Sequence, residues 1–119
     1  MDVATATELL TNLARHRYAW PFAHPVDYVA LGVPDYPMII QRPMDLATIR
    51  DKLEAGTYEL VSAFLDDVQL VWSNAKVYNP PGSDVVIMAD AMEQETRRLA
   101  ASLGLIDAAG QPVIGQHTE

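Results

Sequence analysis

Residues 18–44 hold five of the chain's eight prolines and show no helical spacing of apolar residues. Each proline fixes one backbone torsion and removes a backbone donor, so this segment is neither a regular helix nor a central strand. It is too apolar to be disordered, and structureless loops of this length are uncommon inside a domain. We therefore expect an ordered loop that packs on the rest of the protein through its apolar side chains. These include Trp20, Phe22, Val26, Tyr28, Leu31, Val33, Tyr36, Ile39 and Ile40.

Four segments outside this loop have apolar residues spaced three and four apart, the pattern of an amphipathic helix. They are residues 5–17, 45–55, 60–78 and 84–103. No segment gives a convincing strand pattern. The sequence therefore predicts an all-α fold, a left-handed up-down-up-down four-helix bundle with a long first inter-helix loop.

Residues at the helix ends support these boundaries. Thr5 or Thr7 can cap the first helix. Asp45 and Ser83 can cap the second and fourth helices, because short polar side chains accept hydrogen bonds from the free amides at a helix start. Gly104 suits a left-handed termination of the fourth helix.

The length of 119 residues suits one domain with its own core, and the chain has no cysteine for disulfides or thiol chemistry. We place the bundle at residues 1–104. Residues 105–119 show no apolar period, so we expect a flexible C-terminal tail there. No apolar run approaches the roughly 18 residues of a membrane span, and we expect no membrane association.

Sixteen acidic side chains against eight basic ones give a formal net charge of −8. Such a surface repels phosphate backbones, so we expect no direct nucleic-acid binding. It attracts basic partners and speeds their encounter at low salt. Solubility alone explains the charge about equally well, so the charge does not by itself identify a partner.

In an up-down-up-down bundle the long loop and the turn at residues 79–83 lie at the same end. An apolar cleft between them would have the usual composition of a ligand site. Its polar candidates are the Asn79 amide and the hydroxyls of Tyr36 and Tyr78. An amide offers a donor and an acceptor to a neutral ligand, and nothing here would neutralise a cation. Taken alone, however, Asn79 before Pro80 is more typical of a helix terminator.

Several separated motifs occur in order along the chain: "WPF" at residues 20–22, "PDYP" at residues 34–37, "PMDL" at residues 43–46 and "YN" at residues 78–79. Together they resemble the bromodomain family, the four-helix readers of acetyl-lysine. The resemblance extends over roughly residues 5–103, and its motifs agree in order and spacing. Pro80, directly after the asparagine, departs from the pattern and stiffens the turn.

The resemblance implies a set of roles within the cleft. Asn79 would donate its side-chain amide to the acetyl carbonyl oxygen, and Tyr36 would reach the same oxygen through an ordered water. The other expected members of the site are the shelf residues Trp20 and Pro21, Phe22 beneath the acetyl methyl, the wall residues Val26, Leu31 and Val33, the gatekeeper Val85, and Tyr78 beside Asn79.

The resemblance further implies a nuclear module that reads acetyl-lysine in chromatin and transcription regulation. Its expected partner is an acetylated histone tail or another acetylated protein, and the module is expected to be a monomeric part of a larger protein or complex. The alternative is a helical protein-docking domain whose acetyl-lysine pocket is non-functional or repurposed. We expect no cofactor and no catalysis, because no nucleophile is paired with a base.

Two further groups of polar residues have structural explanations. Asp66 and Asp67 are adjacent on a helix and do not share a face, so we expect a solvated surface there. His16, His24 and His117 lack the spacing of metal ligands.

Overall fold

The computed structural model describes residues 1–113, and the regular structure within this range is helical, without strands. Four long helices form the bundle, and the long loop between the first two contains a 3₁₀ turn at Trp20–Phe22 and a short helix, α2. The helices are α1 Val3–Ala14, α2 Tyr36–Ile39, α3 Leu46–Glu54, α4 Val61–Tyr78 and α5 Asp84–Ser102. Helix α4 packs against α3 and α5, and α1 packs against α3 and α5. The predicted all-α bundle is confirmed.

Helix α1 begins two residues earlier than predicted because its cap is Asp2. The prediction that Thr5 or Thr7 caps this helix is wrong. The Asp2 carboxylate accepts a hydrogen bond from the Thr5 amide at 3.2 Å and another from the Thr5 hydroxyl at 2.6 Å. The helix also ends earlier, at Ala14, and in the turn that follows His16 Nδ1 accepts a hydrogen bond from the Tyr18 amide at 3.0 Å.

The predicted cap of α3 is confirmed. Asp45 is only 4% exposed, and its carboxylate accepts hydrogen bonds from the Thr48 amide at 2.9 Å and the Thr48 hydroxyl at 2.6 Å. Ser83 occupies the cap position of α5, but its hydroxyl forms no capping hydrogen bond and is buried without a partner. Gly104 has the predicted positive φ of 75°, which lets the chain leave α5.

The bundle core is built around Trp72 and Phe64, both fully buried on α4. The Trp72 indole donates a hydrogen bond to the Thr96 hydroxyl of α5 at 3.1 Å, so its one polar atom is satisfied. Phe22 meets the Trp72 ring edge-on, with 5.1 Å between ring centroids. This contact joins the start of the long loop to the core.

The prediction that Asp66 and Asp67 form a solvated face is wrong for Asp67, which is 4% exposed. Its carboxylate accepts hydrogen bonds from the Tyr58 hydroxyl at 2.5 Å and the Lys52 ammonium at 2.6 Å. Arg42 approaches its other oxygen at 3.9 Å. These partners come from α3 and the two loops beside it, so packing rather than local sequence satisfies the buried charge.

The long loop packs on the bundle only at certain positions. Phe22, Tyr36 and Ile40 are buried, as predicted for an apolar loop. Val29 and Met38 are each 79% exposed, so the expectation of general packing is wrong for the middle of the loop and for the outer face of α2. The backbone there is ordered by local turns instead of by burial.

Residues 105–113, predicted as the start of a flexible tail, form a turn against the bundle. Leu105 is 5% exposed and belongs to the core. Ile106 and Pro112 form an isolated antiparallel bridge, and the Val113 amide donates to the Leu105 carbonyl at 3.0 Å. The rest of the predicted tail, with His117, lies outside the described residues, and the domain boundary at residue 104 stays a prediction.

No helix between residues 1 and 113 combines the length and the apolarity that crossing a membrane requires.

Candidate functional site

A cavity of about 530 Å³ opens at the end of the bundle where the long loop meets the end of α4 and the start of α5. The topology brings these two connections together, as the sequence predicts. The cavity is lined by every residue that was predicted for the site: Trp20, Pro21, Phe22, Val26, Leu31, Val33, Tyr36, Tyr78, Asn79 and Val85.

The lining also includes residues that the sequence reasoning missed. Three of them, Val71, Asn74 and Ala75, lie one and two turns before Tyr78 and Asn79 on the same face of α4. Helical spacing counted back from the asparagine could have found them. The others belong to the loop, where no period guides a prediction; they are His24, Pro25, Asp27 and Met44.

Asn79 both ends helix α4 and lines the cavity, so the two interpretations of this residue are compatible. Its backbone is extended, at φ −93° and ψ 149°, and its backbone N–H donates to the Ala75 carbonyl at 3.1 Å. Its side-chain Nδ2 donates to the same carbonyl at 3.0 Å. An amide nitrogen carries two hydrogens, so this bond fixes the side chain while the second hydrogen can serve a ligand.

Tyr36 begins helix α2 and is 8% exposed. Burial raises the pKa of its hydroxyl, because the phenolate would be poorly solvated there. The group is therefore a neutral hydroxyl at physiological pH and can donate or accept a hydrogen bond. Its ring meets Tyr78 edge-on, with 4.9 Å between ring centroids.

The Tyr78 hydroxyl donates a hydrogen bond to the Asp35 carboxylate at 2.7 Å. This bond raises the pKa of Tyr78, since ionising the phenol would remove the donor and place two negative charges together. The Tyr78 hydroxyl, which the sequence suggests as a polar group of the cavity, is thus hydrogen-bonded to the long loop. One turn earlier on α4, Asn74 Nδ2 donates to the Arg42 carbonyl at 2.8 Å.

The walls of the cavity combine buried and exposed apolar groups. Phe22 is 5% exposed and reaches the core, while Trp20, two residues earlier, is 73% exposed. Leu31 is 68% exposed in the loop, and Val85 is half-buried in the first turn of α5. The cavity is thus deep on the side of Phe22 and open at Trp20 and Leu31.

Asp27 is the one carboxylate among the described lining residues. It is exposed, and its Oδ1 accepts a hydrogen bond from the Ala30 amide at 3.0 Å, which closes the turn of the loop. A cation inside the cavity would therefore have no buried carboxylate as partner. Within residues 1–113 no cluster of His, Cys, Asp and Glu could hold a metal ion. The arrangement favours a neutral, partly apolar ligand that offers a hydrogen-bond acceptor.

Comparison with known proteins agrees with this geometry. The family model "Bromodomain" matches residues 6–91. Transcription factor GTE9 of Arabidopsis thaliana is 50% identical over 86 residues, which cover 72% of this chain and 12% of that protein. Transcription factors GTE2 and GTE7 of the same plant are 42% identical over 90 residues and 43% identical over 88 residues. These matches cover 76% and 74% of this chain, but only 16% and 15% of the two proteins.

Proposed function

The chain belongs to the bromodomain family, and we propose that its cavity binds the acetylated side chain of lysine. The observation that carries this proposal is the Asn79 side chain, fixed against the end of α4 and lining an otherwise largely apolar cavity. Its amide would donate to the acetyl carbonyl oxygen. The Tyr36 hydroxyl would reach the same oxygen through a water molecule.

The chemistry of the cavity supports selection of the acetylated form. An unmodified lysine ammonium would lose its hydration without meeting a buried carboxylate, at a cost of several kcal/mol. Acetylation removes that charge and supplies a carbonyl acceptor. The acetyl methyl would lie against Phe22, and the apolar stem would lie along Trp20 and Pro21, while Val26, Leu31, Val33 and Val85 would complete the walls.

A histone tail is the partner that the charge of the chain favours. The formal net charge of −8 attracts basic peptides, and tails are basic around their acetylated lysines. We expect weak binding, because ordering a flexible peptide offsets much of the contact energy.

We propose that the chain acts as a monomeric binding module of a larger nuclear protein in chromatin and transcription regulation, and not as an enzyme. Three relatives are named transcription factors, which supports this setting. The chain spans between 12% and 16% of the length of these relatives.

Calorimetric titration with an acetylated histone H4 tail peptide and its unmodified twin tests the proposal. We expect binding of the acetylated peptide alone. Asn79→Ala should weaken it by about fivefold to about 150-fold, the equivalent of an unpaired acceptor costing about 1–3 kcal/mol.

Asn12→Ala is the matched control, because Asn12 lies on α1 and is not part of the cavity lining. It should bind as the wild type does. Equal binding of both peptides, or full binding by Asn79→Ala, would contradict the proposed function. Equal binding would favour instead a docking domain whose pocket has been repurposed.

A further inference from the structure

Two side chains of α4 hold the second half of the long loop by hydrogen bonds. Asn74 bonds the Arg42 carbonyl at 2.8 Å, and Tyr78, one turn later, bonds the Asp35 carboxylate at 2.7 Å. The first bond lies after helix α2 and the second immediately before it. Helix α2 is therefore held to α4 at both of its ends.

Helix α2 needs such support because it is short. It has four residues, and a single turn gains too few backbone hydrogen bonds to be stable alone. Met38 and Ile39 are 79% and 47% exposed, so only part of the segment gains from burial. The position of Tyr36, the first residue of α2, thus depends on the contacts that its neighbours make.

Tyr78 is linked to both Tyr36 and Asn79. Its hydroxyl bonds Asp35, its ring packs edge-on against the Tyr36 ring, and it immediately precedes Asn79 in the chain. A hydrogen bond to a carboxylate is in general stronger than one between neutral groups. One side chain therefore connects the helix end that carries Asn79 with the loop segment that carries Tyr36.

We infer that Tyr78 is a positioning residue for the recognition of acetyl-lysine. Through Asp35 its hydroxyl fixes the distance between the Tyr36 hydroxyl and the Asn79 amide, so that a bridging water and a direct hydrogen bond reach the same acetyl oxygen. The inference rests on the proposed function. It differs from a role in orienting Asn79 alone, because the group that Tyr78 holds is the loop.

Tyr78→Phe tests the inference, since it keeps the ring against Tyr36 and removes only the hydroxyl. We expect the affinity for the acetylated histone H4 tail peptide to fall by roughly threefold to tenfold, which corresponds to the usual net contribution of one hydrogen bond. Asp35→Ala should cause a similar loss. The double variant should lose no more than the weaker-binding single variant, because both changes remove the same bond.

Tyr58→Phe is the matched control. It also removes a tyrosine hydroxyl that donates to a carboxylate, here Asp67, but at the packing of α3 against α4. We expect it to lower stability and to leave the affinity for the peptide unchanged. An equal loss of affinity in Tyr58→Phe and Tyr78→Phe would overturn the inference, because the effect would then be one of general stability.

The effect of Tyr78→Phe on affinity in a Tyr36→Phe background distinguishes a positioning role from a purely structural one. If Tyr78 acts through the Tyr36 hydroxyl, adding Tyr78→Phe to Tyr36→Phe should cost less than twofold further affinity. A full additional loss in this background would overturn the inference.

Amide hydrogen exchange separates failure of this inference from failure of the proposed function. The Ile40 amide donates to the Tyr36 carbonyl at 2.8 Å and reports on opening of α2. It should exchange faster in Tyr78→Phe and at the wild-type rate in Tyr58→Phe, whether or not any peptide binds. Unchanged exchange in Tyr78→Phe overturns the positioning role. Equal binding of acetylated and unmodified peptides by the wild type overturns the proposed function and the role in recognition with it.

Discussion

Asp67 is a buried carboxylate whose two close partners, Tyr58 and Lys52, lie nine and fifteen residues earlier in the chain. Its neighbour Asp66 is exposed. Burial is the main reason that the pKa of Tyr58 is raised, and the hydrogen bond to Asp67 raises it further. Whether an aspartate in this chain is buried or exposed therefore depends on the partners that packing supplies, and the residue type alone does not decide it.

Asp67→Ala is expected to lower the free energy of unfolding by about 2–4 kcal/mol, because it leaves the Tyr58 hydroxyl and the Lys52 ammonium without their acceptor. Asp66→Ala is the control and should stay within about 0.5 kcal/mol of the wild type. Urea unfolding followed by circular dichroism measures both. Equal effects of the two changes would contradict the role of Asp67.

The residues that line the cavity could be predicted from the sequence because they belong to motifs that resemble a known family in order and spacing. Trp20, Tyr36 and Asn79 all line one cavity, as expected. Their roles toward a ligand stay predictions. The Tyr78–Asp35 bond could not be foreseen, since the two residues are 43 positions apart and no pattern in either segment signals the pairing.

At the scale of elements, the strength of the apolar period decided how well each boundary was predicted. Helices α4 and α5 begin and end within a residue or so of the predicted positions. The start of α1 was missed because its cap, Asp2, lies before the apolar pattern begins. Helix α2 was missed because its four residues, one of which is Pro37, are too few to show a period.

The caps of α3 and α1 give a prediction at this scale. Asp45→Ala should lower the free energy of unfolding by about 1–2 kcal/mol, because Asp45 is 4% exposed and water cannot replace its bonds to Thr48. Asp2→Ala should cost less than Asp45→Ala, since Asp2 and its bonds to Thr5 are exposed to water. Thermal unfolding of both variants checks this order, and a larger loss for Asp2→Ala would refute it.

At the scale of the whole molecule, three tyrosines couple stability to alkaline pH. Burial raises the pKa of Tyr36. The bond to Asp35 raises that of Tyr78, and burial together with the bond to Asp67 raises that of Tyr58. In each case the folded protein favours the neutral phenol. Their contribution to stability is therefore complete below the ordinary tyrosine pKa of 10.0 and is lost as the pH rises above it.

The free energy of unfolding should accordingly fall between about pH 10 and about pH 12, as the unfolded chain releases these protons first. Urea unfolding at a series of pH values measures the slope. Tyr58→Phe removes one of the three groups and should give a shallower fall. The same slope in this variant would show that Tyr58 does not contribute.

Binding of acetyl-lysine at Asn79 is tested by following the Asn79 side-chain amide by NMR in nitrogen-15-labelled protein. The titrants are a multiply acetylated histone H4 tail peptide and its unacetylated twin, with the Asn12 side-chain amide as an internal control. We predict shifts of the Asn79 amide and the Trp20 indole with the acetylated peptide alone, and no shift of the Asn12 amide. Shifts confined to exposed acidic residues with both peptides, or no shift at Asn79 with either, would contradict this prediction.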